Sequence, residues 1–139
     1  MKIYFSGSVR GGAKDRKLYL QLIKYLAKYG QVLAEHVDSK NLTESDEWNY
    51  NRCTSWIKES DVIIAEVSTP SLGVGYEISK AEDMNKKILC LYKSQQNKRL
   101  SAMIAGNRKI KVARYETLED VINHIDNFFK SQPLKKPRA

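Results

Sequence analysis

Cysteine, histidine and proline are scarce in this chain, with two, two and three in 139 residues. Cys53 and Cys90 cannot build a disulfide framework and do not stand at metal-ligand spacing, which fits a reducing compartment. No metal and no cofactor are expected. No apolar run approaches the ~18 residues that a membrane span requires. The N-terminal "MKIYFSGSVRGG" reaches a Gly-rich turn too early to form a signal-peptide core. These absences lead us to expect a soluble intracellular protein, cytoplasmic or nuclear, with no membrane partner. The interleaving of basic and aromatic residues found in single-strand binders is missing, as is any recognisable reading helix. Nucleic acid is therefore not the expected partner, although the net charge is +8.

The chain is 42% hydrophobic. That is enough apolar side chain for one domain with a real core, and the length is too short for two. Three basic residues fall in the last five positions, "KKPRA". Residues 132 to 139 read as a basic, disordered tail, either a solvated end or a weak nuclear-import signal. The domain proper is expected over 1 to 131. Its remaining basic residues are spread through helices and loops, a surface that can steer a small phosphorylated ligand as well as a polymer.

Within the domain, strand patterns alternate with helix patterns. "KIYFS" (2 to 6), "QVLAE" (31 to 35), "DVIIAEV" (61 to 67), "KILCLY" (87 to 92) and "KIKVARY" (109 to 115) read as strands. The third runs apolar without alternation, as a strand covered on both faces does. The fifth alternates more and reads as an edge. Helices are expected from Asp15 to Tyr29, from Asp46 to Glu59 with Tyr50, Cys53, Thr54 and Ile57 on one face, from about Val74 to Asn85, and from Leu118 to the end of the domain. Such alternation predicts an α/β fold, a doubly wound five-stranded parallel sheet with helices on both faces. Right-handed crossovers then bring every strand-to-helix loop to one edge, where ligands of these sheets bind.

Two of those loops carry suggestive chemistry. "SGSVRGG" (6 to 12) offers glycines that let backbone amides approach an oxyanion, a helix start, the hydroxyl of Ser8 and the charged fork of Arg10. It matches neither the dinucleotide fingerprint nor a Walker loop. It suits a phosphate, or is simply a tight glycine turn with a solvated arginine. "STPSLGVGYE" (68 to 77) supplies Ser71 before a second helix start, then Gly73, Gly75 and Glu77. A carboxylate in a first helical turn is favoured by the macrodipole whatever its function. Beside a bound sugar phosphate the same carboxylate can attack an anomeric carbon. Tyr4, at the end of the first strand, is either a core tyrosine or a hydrogen-bond donor to that nucleophile. His36, after the second strand, is either a loop hydrogen-bonder or a site residue.

"IYFSGSVRGG", "VLAEHV", "SWIKESDVIIAEVSTPSLGVGYEISKA", "ILCLY" and "RLSAMI" together resemble the nucleoside 2-deoxyribosyltransferase superfamily, over about residues 2 to 130. Within it they are most similar to the branch that hydrolyses 2'-deoxynucleoside 5'-monophosphates to a free base and 2-deoxyribose 5-phosphate. The resemblance implies a homodimer in which Glu77 is the nucleophile, forming a deoxyribosyl intermediate that water resolves, with Tyr4 orienting it. It places Ser8, Val9, Arg10, Gly11, Ser71 and Gly73 with the substrate, Ser101 reaching in from the partner subunit, and His36 beside the base. A tyrosine rather than a phenylalanine at position 4 resembles the deoxy-specific members. Related transferases pass the sugar to a second base and use substrates without the phosphate, which Arg10 argues against.

One position departs from the pattern. The family carries an aspartate three residues before the tryptophan of the "WIKESD"-like segment, where it positions the sugar and handles protons. This chain has Cys53 there. A thiol with a reference pKa of ~8.5 is mostly neutral at pH 7, where an aspartate is ionised, so the exchange is not conservative. Asp46 would share the helical face but lies about two turns, or ~10 Å, away. A slowed hydrolase, a variant with a different substrate preference and a nucleotide binder without turnover are the three readings that this departure leaves.

Overall fold

A computed structural model of the chain describes residues 1–131; the basic tail expected over 132–139 lies outside the described residues. Five strands, β1 (Lys2–Ser6), β2 (Gln31–Leu33), β3 (Val62–Glu66), β4 (Lys87–Lys93) and β5 (Lys111–Tyr115), form one parallel sheet in the order β2-β1-β3-β4-β5. The connecting helices are α1 (Gly12–Leu26), α2 (Asp46–Glu59), α3 (Leu72–Asp83), α4 (Ala102–Ala105) and α5 (Leu118–Ser131). This is the expected doubly wound α/β fold. Its strand order reverses between β1 and β3, so the loops leaving those two strands flank the crevice where such sheets bind ligands.

Alternation along the strands sorts the core into two layers. Ile3 and Phe5 of β1, Val62 and Ile64 of β3, and Leu89 and Leu91 of β4 pack with Leu22 and Leu26 of α1 and Val121, Ile125 and Phe128 of α5. Tyr4, Ile63, Ala65, Ile88, Cys90 and Tyr92 point the other way, against Cys53 and Ile57 of α2 and Val74, Ile78 and Ala81 of α3. With a side-chain period of two, Tyr4 and Ser6 must share the α2/α3 face. Tyr4 sits in mid-strand, paired with Leu33 and Ile63, rather than at the strand's end.

Several boundaries differ from the sequence expectation for identifiable reasons. β2 stops at Leu33, and Glu35–Val37 and Ser39–Leu42 coil into short 3-10 turns; the Asp38 carboxylate caps the second by accepting from the Lys40 amide. Helix α1 ends at Leu26 instead of Tyr29 because the chain must turn to enter β2 beside β1. The Gln31 amide donates to the Met1 carbonyl at 3.0 Å, and a Cβ on Gly30 would lie 2.3 Å from that same oxygen. Helix α3 begins two residues early because Ser71 caps it, its hydroxyl accepting from the Val74 amide at 3.3 Å. On α2 only Cys53 and Ile57 are buried; Tyr50 is exposed and meets Tyr76 of α3 at the surface. The short α4 has no periodic apolar pattern to announce it.

Two polar clusters, one buried and one half-buried, brace the segments that follow the strands. Glu66, 1% exposed, accepts from the Ser68 amide at 2.7 Å, from the Ser68 hydroxyl at 3.0 Å and from the Tyr115 hydroxyl. Ser68 in turn accepts from the Lys93 amide, so the ends of β3, β4 and β5 are joined. Arg52 of α2 lies between the rings of Trp48 and Trp56, 4.7 and 4.6 Å from their centroids, and donates to Asp38 at 2.8 Å. That pair ties the segment after β2 to α2.

Tyr115→Phe removes one donor from a buried carboxylate and is expected to lower unfolding stability by about 1–3 kcal/mol. Urea denaturation at neutral pH reads this directly, and an unchanged midpoint would show that the cluster carries no stability.

Candidate active site

Glu77 is half-buried in the second turn of α3, not the first, so the macrodipole does not account for its presence. It faces β1. The Tyr4 hydroxyl donates to Glu77 Oε2, and the Ser6 hydroxyl donates to Oε1 at 3.3 Å. Both donors come from alternate positions of the same strand, so the carboxylate is held flat against the sheet by two rigid groups. Tyr4 is itself fixed, being 1% exposed with its ring 6.4 Å from that of Trp56.

Burial pushes the Glu77 carboxyl up, to about 7. The hydrogen bond from Tyr4 opposes that rise, the charge of Glu35 adds to it, and the Ser6 hydroxyl opposes it again. Burial likewise holds the Tyr4 phenol well above its usual range, with the Glu77 charge next in importance, so Tyr4 donates throughout the physiological range.

Cys53 completes the group from α2. Its thiol donates to Glu35 Oε1 at 2.6 Å. Burial, and then that hydrogen bond, push the thiol up to about 12, so it stays protonated and is no ionic replacement for an aspartate. Donor atoms of Glu35, Cys53 and Glu77 all lie within 4.8 Å of one another. A cation gripped by these three would have to displace the proton that Glu35 accepts from Cys53.

Glu35 is the site residue that sequence reasoning missed, together with Ser6. Its signal was present: "AEHV" directly follows β2, so Glu35 and His36 leave the loop edge of the sheet next to the end of β1. Consecutive residues there diverge. Glu35 reaches Cys53, whereas His36 wedges edge-on against Phe5 and Tyr19, with centroids 5.7 and 5.0 Å away. Neither His36 ring nitrogen has a hydrogen-bond partner among the described residues, and burial lowers its pKa, so it is neutral at pH 7.

The β1–α1 loop sits alongside. Ser8 is buried and accepts from the Arg10 amide at 3.3 Å, while Val9 and Arg10 are exposed. Gly12 has φ of +84°, a left-handed conformation that side chains resist, and a Cβ on Gly11 would overlap Asp15 at 2.1 Å. Asp15 accepts from the Thr69 hydroxyl at 2.6 Å, which links this loop's helix to the loop after β3. Ser71 spends its hydroxyl on the α3 cap, and Gly73 lies exposed in the first turn. Ser101 caps α4 and does not join this group. It lines a separate groove of about 620 Å³ with Ser71, Gly75 and Met103, and Glu77 does not line that groove.

The profile described as "Nucleoside 2-deoxyribosyltransferase" matches residues 3–125. The chain belongs to the nucleoside 2-deoxyribosyltransferase family. A relative from Tetraodon nigroviridis, named 5-hydroxymethyl-dUMP N-hydrolase, is 41% identical over 141 residues, covering 95% of this chain and 99% of its own. One of the same name from Homo sapiens is 40% identical, covering 94% and 80%. Among solved structures, the Clostridium botulinum CMP N-glycosidase BcmB superposes with a TM-score of 0.68 at 23% identity, covering 91% of this chain and 99% of its own. Agreement at that identity speaks for the fold of this family member.

The raised Glu77 pKa has a stability consequence. The folded form keeps a proton that the unfolded chain, at the ordinary value of 4.5, releases, so folding stability is fullest below 4.5 and falls as pH rises towards about 7. Glu77→Gln is therefore expected to be near neutral in acid. At pH 8 it should stabilise the fold by roughly 2 kcal/mol, measured as the difference in unfolding free energy between the two conditions.

Proposed function

We propose that this protein hydrolyses the N-glycosidic bond of 2'-deoxynucleoside 5'-monophosphates, releasing a free base and 2-deoxyribose 5-phosphate. The observation that carries the proposal is the Glu77 carboxylate, held by Tyr4 and Ser6 at the loop edge where the strand order reverses. The names of the relatives, hydrolases of a deoxyuridine monophosphate, support the same chemistry.

In this reading ionised Glu77 attacks the anomeric carbon, the base departs, and water then cleaves the glycosyl ester. Tyr4 and Ser6 aim the two oxygens and help keep the carboxylate ionised. The amides and hydroxyl of the Ser8–Gly11 loop, with the Arg10 guanidinium, take the 5'-phosphate, and Val9, Ser71 and Gly73 line its approach. Uncharged His36 lies on the side of the base. A homodimer would bring Ser101 of a second copy to this site; exposed Leu72, Tyr76 and Met103 beside the groove give apolar surface for the contact. We place the protein in the cytosol or nucleus. Its two cysteines are both free, and no helix among the described residues is long and apolar enough to cross a membrane.

The alternative of a nucleotide binder without turnover rests on the protonated thiol at position 53. Incubating the protein with a panel of deoxynucleoside monophosphates and quantifying free base by chromatography separates the two. Base release is expected from the unmodified chain and not from Glu77→Ala, which should still bind nucleotide. A Glu77→Ala protein that turns over at the normal rate would remove the nucleophile. Because Glu77 must be ionised, kcat/KM should climb with pH to a plateau through an apparent pKa of about 7. Tyr4→Phe should move that limb to higher pH, since it deletes a hydrogen bond that favours the charged form. Arg10→Ala is expected to raise KM for monophosphates far more than for the matching nucleosides, and equal losses for both would put the phosphate elsewhere.

A further inference from the structure

We infer that Tyr19 is a positioning residue for the substrate's phosphate: its buried hydroxyl joins the β1–α1 loop, at Ser8, to the loop after β3, at Thr69, when the two loops close on the anion. The inference rests on the placement of the 5'-phosphate in the reading above and adds a residue that acts from beneath the loop.

Polar atoms out of reach of water are nearly always hydrogen-bonded, so each exception asks for a reason. Among the described residues four buried side-chain atoms lack a partner: the Tyr19 hydroxyl, both ring nitrogens of His36 and Arg52 Nε. Three of those four belong to one contact, in which the rings of Tyr19 and His36 meet edge-on with centroids 5.0 Å apart and each packs on Phe5. The start of the β1–α1 loop lies against them. A Cβ on Gly7 would stand 3.0 Å from Tyr19 Cε2, so the ring fills the space that a side chain at position 7 would take. Tyr19 is 1% exposed and acts on a ligand only through its neighbours.

The groups facing these orphaned atoms have the complementary sense. Burial raises the Tyr19 phenol well above its usual range and the charges of Glu66 and Asp15 add to the rise, whereas the Ser8 backbone and the Thr69 hydroxyl oppose it. A backbone group that favours a phenolate is an N–H. Burial lowers the His36 pKa, and the Ser8 and Gly7 backbones act against that, as carbonyls do. Donors and acceptors thus stand opposite one another without closing to hydrogen bonds, the loose arrangement that a site tightens when its substrate binds.

The protons of the closed arrangement run in one direction. The Thr69 hydroxyl gives its proton to Asp15 at 2.6 Å, which leaves the lone pairs of its oxygen to accept. Protonated Tyr19 donates to that oxygen and accepts from the Ser8 amide, so a chain from Ser8 through Tyr19 and Thr69 ends on the Asp15 carboxylate. Thr69 stands two residues before Ser71, which caps α3. Closing the chain therefore fixes the spacing of two loops that a single phosphate must touch together.

The test uses the full chain with Tyr19→Phe, which removes the hydroxyl and keeps the ring. Measured are KM and kcat for deoxynucleoside monophosphates, calorimetric affinity for 2-deoxyribose 5-phosphate, and the urea midpoint without ligand. KM is expected to rise ~10-fold and the sugar phosphate to bind weaker by a like factor, with kcat held within about two-fold. The midpoint should stay or rise, because an unpaired buried hydroxyl has been taken away. Thr69→Val cuts the same chain and should weaken that affinity similarly, with the double variant no weaker than the larger single. KM and affinity unchanged by Tyr19→Phe overturn the inference. So does a lowered midpoint accompanied by a loss in kcat, which is the pattern of a hydroxyl that serves the core, and so do single losses that add in the double variant. Binding of 2-deoxyribose 5-phosphate needs no turnover, which separates this inference from hydrolysis itself. If the unmodified chain binds it without releasing base, the hydrolase reading falls and a weakened Tyr19→Phe affinity still upholds this one; if it binds no sugar phosphate, both fall.

Discussion

A carboxylate taken out of water must find hydrogen-bond donors or take up a proton, and the site is built around that constraint at Glu77. Its donors, Tyr4 and Ser6, are two residues apart on β1, and only a strand in the middle of the sheet can hold two such groups rigidly on one face. β1 lies between β2 and β3 and is covered on both sides by helices. The same placement that buries Ile3 and Phe5 against α1 and α5 turns Tyr4 and Ser6 towards α2 and α3. Packing of the core and the hold on the Glu77 carboxylate are thus one geometric fact.

The balance at Glu77 is close. Burial and the charge of Glu35 favour its protonated form; the hydroxyls of Tyr4 and Ser6 favour the ionised one. The resulting value near neutrality keeps much of the group charged at pH 7, while leaving it more basic than a fully solvated carboxylate. The fold gives up some stability for this arrangement, as active sites commonly do.

The strand and helix pattern was legible because the apolar periods are strong. β1 and α2 fall where the spacing puts them, and the unbroken apolar run of β3 correctly marked a central strand. Boundaries that depend on caps were less legible. Ser71 starts α3 two residues before its apolar periodicity shows, and that shift moves Glu77 from the first turn into the second. The gathering of Glu77, Tyr4 and Cys53 follows from the sheet's topology. Glu35 was legible only in its place directly after β2; its contact was not, because its partner is eighteen residues away and its segment is a pair of 3-10 turns with no periodic signature. Asp46 shares α2 with Cys53, whereas the carboxylate that meets the thiol comes from the segment after β2.

The thiol at position 53 also changes how the pocket looks to an approaching molecule. With an aspartate there, Glu35, Glu77 and a third carboxylate would crowd one end of the crevice, and their summed negative potential would oppose a phosphate-bearing ligand. Cys53 is uncharged, so one anion fewer stands in the way. A unit charge ~8 Å away at an effective dielectric of ~20 amounts to about 2 kcal/mol. Less repulsion leaves the basic surface freer to draw nucleotides in. What this chain lacks in acid strength at that position it recovers as easier entry for a doubly charged guest, a gain felt in encounter rate and weakened by added salt.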